Sequence, residues 1–113
     1  MTAVTAIVYP VRDLAGAKAV FGAWLGAEPY VDSSYYVGFR VGDHEVGLDP
    51  HGFDQGLSGP VCYTDVSDIE QALAQLVDAG ATSRDAAHDV GGGMLIATVT
   101  DPDGNVIGLR QQP

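Results

Sequence analysis

Three histidines and one cysteine are the residues best suited to bind a metal ion or act as nucleophiles. His44, His51 and His88 fall in or near segments rich in turn-forming residues, and their spacing does not match a metal-binding pattern such as H-E-x-x-H. We therefore expect solvated loop histidines. Cys62 faces opposite to Val61 in a predicted strand, so it should pack beneath a helix. No neighbouring base or cation indicates a reactive thiol.

Carboxylates are the second group of side chains that could do chemistry. The chain has 15 Asp and Glu against 5 Lys and Arg, which gives a formal net charge of -10. This balance argues against binding to nucleic acid or to an anionic membrane, because both depend on clustered basic residues. It is compatible with a cationic ligand, and equally with a role in solubility alone.

Length and composition fit one globular domain, since the chain has 113 residues and an apolar share of 46%. No apolar run approaches the roughly 20 residues of a membrane span, and the first residues lack the pattern of a secretion signal. The single cysteine excludes internal disulfides and a cysteine-based zinc site. We expect a cytoplasmic protein.

The elements that must position these side chains begin with a predicted strand over residues 4–11, which is rich in β-branched residues. Asp13 is the expected N-cap of an amphipathic helix that ends at Gly26, with Trp24 on its apolar, core-facing stripe. Three short strands follow, with a tight turn at Gly42-Asp43 between the last two. These strands are expected over residues 30–32, 35–41 and 44–49. Residues 1–50 thus form a predicted β-α-β-β-β unit.

A second unit is predicted over residues 60–113, after a Gly- and Pro-rich connector at 51–59. Its helix follows the S-x-x-E pattern of a capping box at Ser67–Glu70 and ends at Gly80. Gly91-Gly92-Gly93 predicts a turn, and the D-P-D-G-N sequence that begins at Asp101 predicts another. The expected strands are 61–66, 84–89, 94–100 and 106–110.

The two units resemble each other in sequence. Val46-Gly47-Leu48 parallels Ile107-Gly108-Leu109, and Leu25-Gly26-Ala27 parallels Ala79-Gly80-Ala81. One such unit cannot bury both its helix and its sheet, so two copies within a chain or between chains must pair. The predicted fold class is α+β, with two βαβββ repeats.

This arrangement resembles the vicinal oxygen chelate superfamily, which includes glyoxalase I, bleomycin-resistance proteins, fosfomycin-resistance enzymes and extradiol dioxygenases. The repeated unit, the F-x-x-W-L-G end of the first helix and the D-P-D-G-N-x-I-x-L segment carry the resemblance. It implies a single domain at 1–113 in which curved mixed sheets form a cup around a small molecule. It also implies frequent pairing of chains, so we expect a homodimer. The reaction is left open, because one scaffold hosts many functions.

The resemblance further implies metal ligands on the first and last strand of each unit. The matching positions hold Ala6, Gly47, Val61 and Gly108. None of these residues offers the imidazole or carboxylate that a divalent ion of this class requires. We therefore expect neither a metal nor another cofactor.

If the two glycines face the cup, strand alternation places further side chains on the same surface. The predicted ligand-binding residues are Tyr63, Glu45, Asp49, Arg110, Val8, Val61, Tyr36 and Phe39, and Tyr30 and Tyr35 could extend the aromatic wall. Such a pocket suits a flat or partly cationic ligand. Core packing is the alternative role for each aromatic side chain, and solvated strand ends are the alternative for the carboxylates. Arg110 could pair with Asp49 across the repeats or bind an anionic group.

Two functions of different classes remain open. The first is a non-catalytic protein that sequesters an antibiotic or related natural product. The second is a lyase, isomerase or dioxygenase-type enzyme, either metal-free through Glu45, Asp49 or Tyr63, or using metal ligands not yet identified. General-base chemistry would require a carboxylate whose pKa is raised by burial, and no catalytic residue is assigned.

Overall fold

The computed structural model describes residues 3–113, in which the order β-α-β-β-β occurs twice. This confirms the prediction of an α+β chain built from two βαβββ repeats. The helices are α1 (Leu14–Leu25) and α2 (Ile69–Asp78), and a short 3-10 helix spans Phe53–Gln55. The strands are β1 (Val4–Pro10), β2 (Val31–Asp32), β3 (Val37–Val41), β4 (His44–Asp49), β5 (Val61–Asp65), β6 (Thr82–Asp89), β7 (Leu95–Thr100) and β8 (Val106–Gln111).

The chain divides into two compact units, a first module over Thr5–Val61 and a second module that contains Cys62–Pro113. Among residues 3–113, no helix is both long enough and apolar enough to cross a membrane.

The first module is a four-stranded mixed sheet in the order β2-β3-β4-β1, covered on one face by α1. Strand β1 runs parallel to β4, and the other neighbours are antiparallel. Val37, Phe39 and Leu48 are fully buried beneath α1, and each contributes roughly 1.5–3 kcal/mol through burial. In the connector, Phe53 lies under the guanidinium of Arg12, with 3.8 Å from Cζ to the ring centroid.

Helix α1 begins and ends where its sequence predicts. The Asp13 side chain accepts a hydrogen bond from the Gly16 N–H at 3.0 Å, which satisfies a free donor of the first turn. Gly26 ends the helix with a φ of 62°, a left-handed conformation that glycine adopts without steric strain. On the core side, Leu14, Ala17 and Phe21 pack against the sheet.

The second module has the same plan, with strand order β5-β8-β7-β6 and α2 packed on one face. Ile69, Ala97 and Leu109 form its buried cluster. The N-cap is Asp68, whose carboxylate accepts the Gln71 N–H at 3.1 Å, so the predicted Ser67 capping box is wrong by one residue. Aspartate is at least as good an N-cap residue as serine. A second free donor of the first turn, the Ile69 N–H, is accepted by the Gln111 side chain at 2.8 Å.

Two side chains expected in the core are exposed. Trp24 is 66% exposed, because the core-facing positions of α1 are three residues earlier at Phe21 and one residue later at Leu25. Its ring only touches the edge of Phe21, at 5.7 Å between centroids. Cys62 is also exposed, and so is its register partner Ile107, which shows that α2 does not cover this end of the strand pair.

The turn that leads into β8 is organised by Asp101. Its Oδ1 accepts the N–H of Asp103 at 3.0 Å and of Asn105 at 2.8 Å, while its Oδ2 accepts the Asn105 amide at 2.8 Å. The Asn105 side chain, followed by the Asn105 backbone N–H, holds the pKa of Asp101 below its ordinary value of 3.8. The ionised carboxylate therefore stabilises the folded turn.

We predict that Asp101→Asn lowers the urea midpoint of unfolding at about pH 7, because the amide cannot accept all three hydrogen bonds as an anion does. Since the folded pKa is lowered, this stabilisation is present above the unfolded pKa and disappears as the pH falls through the folded pKa. The midpoints of wild type and variant should converge in acid. Asp103→Asn is the matched control, and an equal loss in that variant at neutral pH would contradict the assignment.

Candidate functional site

The face of the first module opposite α1 carries the chemically capable side chains. Along β4, Val46 and Leu48 pack toward α1, so Glu45 and Gly47 point to the other face. Directly opposed residues of an antiparallel pair share a face. The register between β3 and β4 therefore places two more residues on this face: Arg40, which is opposite Glu45, and Gly38, which is opposite Gly47.

Two tyrosine hydroxyls hold the carboxylate of Glu45. The Tyr30 hydroxyl donates to Glu45 Oε1, and the Tyr36 hydroxyl donates to Glu45 Oε2. Glu45 and Tyr36 are half-buried, whereas Tyr30 is 48% exposed. Hydrogen bonds to a charged acceptor are stronger than those between neutral groups, so this contact fixes both rings as well as the carboxylate.

Local backbone contacts bring both tyrosines to this position. The Ser33 hydroxyl accepts the Tyr36 N–H at 3.2 Å and donates to the Tyr36 carbonyl at 3.0 Å, which closes a tight turn before β3. The Tyr30 N–H donates to the Gly38 carbonyl at 2.9 Å. These backbone contacts therefore hold both rings in place without a ligand.

Glycine provides the room that these rings occupy. A Cβ on Gly47 would lie 2.7 Å from Tyr36 Cζ, closer than real Cβ contacts allow. A Cβ on Gly38 would lie 3.2 Å from Tyr36 Cε2 and 3.3 Å from Tyr30 Cε1. Two adjacent glycines thus form a flat floor under two aromatic side chains.

Arg40 adds a cation to the same face. Its Cζ lies 4.5 Å from the centroid of the Tyr30 ring, a cation–π contact worth about 0.5–1 kcal/mol at an exposed site. Tyr30 therefore contacts the guanidinium through its ring and Glu45 through its hydroxyl. Arg40 is not among the predicted ligand-binding residues, although its place opposite Glu45 across the Gly42-Asp43 turn could have indicated it.

The second module repeats the packing of tyrosine on glycine with different partners. Tyr63 stands opposite Gly108 in the parallel β5–β8 register, and a Cβ on Gly108 would lie 2.8 Å from Tyr63 Cγ. Two residues further along, Asp65 and Arg110 form an ion pair with 2.7 Å between Oδ1 and Nε. The Gln112 amide donates to Asp65 Oδ2 at 3.3 Å.

Arg110 therefore has a partner other than the proposed Asp49. Its described ion pair is with Asp65 on the neighbouring strand, because the parallel register sets the two residues directly opposite each other. The Asp49 carboxylate instead accepts the His51 N–H at 2.8 Å and stabilises the turn after β4. Both carboxylates are half-buried.

Phe39 lies outside the candidate site. It is 0% exposed and packs beneath α1, on the opposite face from Glu45, because its register partner is Val46. Its odd separation from Tyr36 in one strand segment already indicated opposite faces. Val61 is also inaccessible, at 1% exposure, whereas Val8 is half-buried opposite Gly47 in the β1–β4 register.

The residues present do not fit a metal centre of the expected kind. Gly47 and Gly108 lie under tyrosine rings, and Ala6 and Val61 are buried side chains without a donor atom. Across residues 3–113, no group of three or more His, Cys, Asp or Glu side chains is arranged to hold a metal ion.

The sequence profile of the Glyoxalase/Bleomycin resistance protein/Dioxygenase superfamily matches residues 3–109, and the chain belongs to that superfamily. No curated protein sequence matched it.

Solved structures support the fold. A glyoxalase/bleomycin resistance protein/dioxygenase superfamily member from Vibrio splendidus 12B01 is 22% identical, with a TM-score of 0.73 over 99% of this chain and 100% of that one. Methylmalonyl-CoA epimerase from Mycobacterium tuberculosis is 16% identical, with a TM-score of 0.75 over 97% and 87%. The Mn(II)-bound glyoxalase from Novosphingobium aromaticivorans is 18% identical, with a TM-score of 0.69 over 98% and 40%. At these identities the likeness concerns the fold alone.

We predict that Gly108→Ala destabilises the protein by about 1–3 kcal/mol, because its new methyl group would collide with the Tyr63 ring. In a Tyr63→Ala background the same substitution should be close to neutral, which urea denaturation of the double-mutant cycle measures.

Gly59→Ala is the matched control for this cycle, since a Cβ on Gly59 meets no atom within 4 Å. Equal costs for Gly108→Ala with and without the Tyr63 ring would show that the ring does not occupy the space above this glycine.

Proposed function

We propose that this superfamily member binds a small organic molecule that is flat and partly cationic, without transforming it. The observation that carries the proposal is the packing of tyrosine rings on Gly47 and Gly108, two positions where the family resemblance implies metal ligands. The surface then offers aromatic rings and the Glu45 carboxylate for recognition, in place of the group of ligands that would hold an ion.

The first module supplies the recognition chemistry. Tyr30 and Tyr36 present aromatic surface beside the Glu45 carboxylate, and 48% of the Tyr30 residue surface is open to solvent. Aromatic faces and a carboxylate together attract a delocalised or quaternary cation. The net charge of -10 adds a general attraction for cations and repels anions.

Antibiotics and related natural products with fused rings and amino groups have this chemistry, and we propose them as the ligand class. Sequestration of such a molecule requires only affinity and a sufficient amount of protein. The single cysteine of the chain suits a reducing compartment, so we propose that the protein acts in the cytoplasm.

A metal-free enzyme is the second candidate. The observation in its favour is the Glu45 carboxylate held between two phenols, since a positioned carboxylate can remove a proton and a phenol can return one. Structures with a similar fold include a methylmalonyl-CoA epimerase and a glyoxalase. Tyr63 is a further candidate for the same chemistry in the second module.

We predict that a polycyclic or glycopeptide antibiotic with a cationic group raises the melting temperature. At a hundred times its dissociation constant, a ligand stabilises the folded state by about 2.7 kcal/mol, which corresponds to roughly 10 °C for a domain of this size. Glu45→Gln should weaken binding by about tenfold in calorimetry, because it removes the charge that meets the cation.

Glu70→Gln, an exposed position on α2, is the matched control and should bind like wild type. If several polycyclic and glycopeptide antibiotics are tested and none raises the melting temperature of the protein, the proposed ligand class is wrong. The bound compound should also be incubated with the protein in deuterium oxide. Exchange of a carbon-bound proton that wild type catalyses and Glu45→Gln does not would favour the enzyme instead.

We further predict that the purified protein contains no stoichiometric divalent metal, because the four positions implied for ligands lack nitrogen or oxygen side-chain donors. Elemental analysis by inductively coupled plasma mass spectrometry checks this, after exchange into metal-free buffer. One divalent ion per chain that survives the exchange would reverse the ranking of the two functions.

A further inference from the structure

Arg40 is the cation of the candidate site, and its charge has no carboxylate partner. Three of the five basic residues of the chain form ion pairs, namely Lys18 with Asp32, Arg84 with Asp85 and Arg110 with Asp65. Within residues 3–113, no ion pair involves Arg40, although the chain has 15 Asp and Glu. The exposed guanidinium is therefore available to an anionic group from outside the chain.

The partner that strand register would give Arg40 is already engaged. Arg40 and Glu45 are directly opposed in the β3–β4 pair, a position in which opposite charges normally interact. Each oxygen of the Glu45 carboxylate instead accepts a phenol hydroxyl, one from Tyr30 and one from Tyr36. The guanidinium lies over the Tyr30 ring, with 4.5 Å from Cζ to the ring centroid. A positive and a negative group thus stand side by side, and one aromatic side chain contacts both.

Neither a simple cation nor a simple anion suits this pair of charges. A cation attracted to Glu45 is repelled by Arg40, whereas an anion attracted to Arg40 is repelled by Glu45 and by the net charge of -10. A zwitterion meets both charges and carries no net charge for the chain to repel. Directly opposed strand residues have Cα atoms roughly 4.5–5.5 Å apart, so the two charges of the ligand should be separated by only a few bonds.

We propose that this site takes a flat zwitterion whose ammonium and carboxylate groups lie a few bonds apart, as in an aromatic α-amino acid, and that Arg40 selects it. The inference rests on the proposed function, in which Glu45 meets the cationic group and the Tyr36 ring meets the flat part. The planar guanidinium can stay stacked on Tyr30 while two of its N–H groups donate to the carboxylate of the ligand. The Glu45 oxygens can each accept a further hydrogen bond from the ammonium group. Arg40 is then a specificity-determining residue.

The test uses three probes that share an indole ring and differ in their charged groups. Tryptophan is a zwitterion, tryptamine is a cation and indolepropionate is an anion. Dissociation constants are measured at neutral pH from the amide chemical shifts of the isotope-labelled full chain. The amides of Gly38 and Gly47, which lie under the Tyr36 ring, should shift with tryptophan, whereas the amide of Gly108 in the second module should not.

Tryptophan should bind wild type about fivefold more tightly than either probe with a single charge. Arg40→Gln should remove its advantage over tryptamine without weakening tryptamine, because only the carboxylate contact is lost. Arg12→Gln is the matched control, since it removes the same charge from another arginine that stacks on an aromatic ring, and it should bind tryptophan like wild type. Arg12 lies past the end of β1, whereas Glu45 pairs with Ala6 inside that strand. A dispersed amide spectrum confirms that each variant is folded.

The possible failures separate this inference from the proposed function. If tryptamine binds at least as tightly as tryptophan and loses affinity in Glu45→Gln, the inference is wrong and the cation site stands. If indolepropionate binds most tightly, both are wrong. The inference is also wrong if Arg40→Gln keeps the preference for tryptophan, or if Arg12→Gln loses it equally. It is wrong as well if no probe shifts the amides of Gly38 and Gly47, and the proposed function is then judged by its own antibiotic panel.

Discussion

The packing of a tyrosine ring on a strand glycine is the contact on which the candidate site depends. In each module it occurs at the glycine of the last strand, Gly47 under Tyr36 and Gly108 under Tyr63. The ring takes the space that a side chain on that glycine would need, so aromatic coverage and a ligating side chain exclude each other there. Once glycine occupies these positions, the surface can present tyrosine faces and hydroxyls, and its chemistry follows from them.

The two modules share this arrangement, but the carboxylate in each takes a different partner. In the first, two phenols hold Glu45, and they contribute hydrogen bonds without a positive charge. In the second, a guanidinium holds Asp65, so the pair is close to neutral. Arg40 lies over the Tyr30 ring and already makes the contact that a cationic ligand would make. The proposed binding of a cation would therefore rely on the Glu45 carboxylate and the Tyr36 ring of the first module, whereas the second module offers a mostly neutral surface.

The helices differ in a parallel way. Both are held at their first turn by an aspartate and both pack one apolar stripe on a sheet. Helix α2 has an apolar inner face and a mostly polar outer face, whereas the outer face of α1 is apolar apart from Lys18. Leu14, Ala17 and Phe21 pack against the core of the first module, whereas Val20 and Trp24 are exposed.

The sequence by itself determined the repeated element order, the Asp13 cap, the Gly26 stop and the D-P-D-G-N turn, because these depend on local dihedral preferences and on bonds between near neighbours. It also showed that Gly47 and Gly108, two positions where the resemblance implies metal ligands, have no side chain that could bind an ion. Only the tertiary structure decided which partner each charge takes and which face Phe39 and Trp24 occupy. Register between strands and rotation of a helix set these outcomes, and a shift of one residue reverses them.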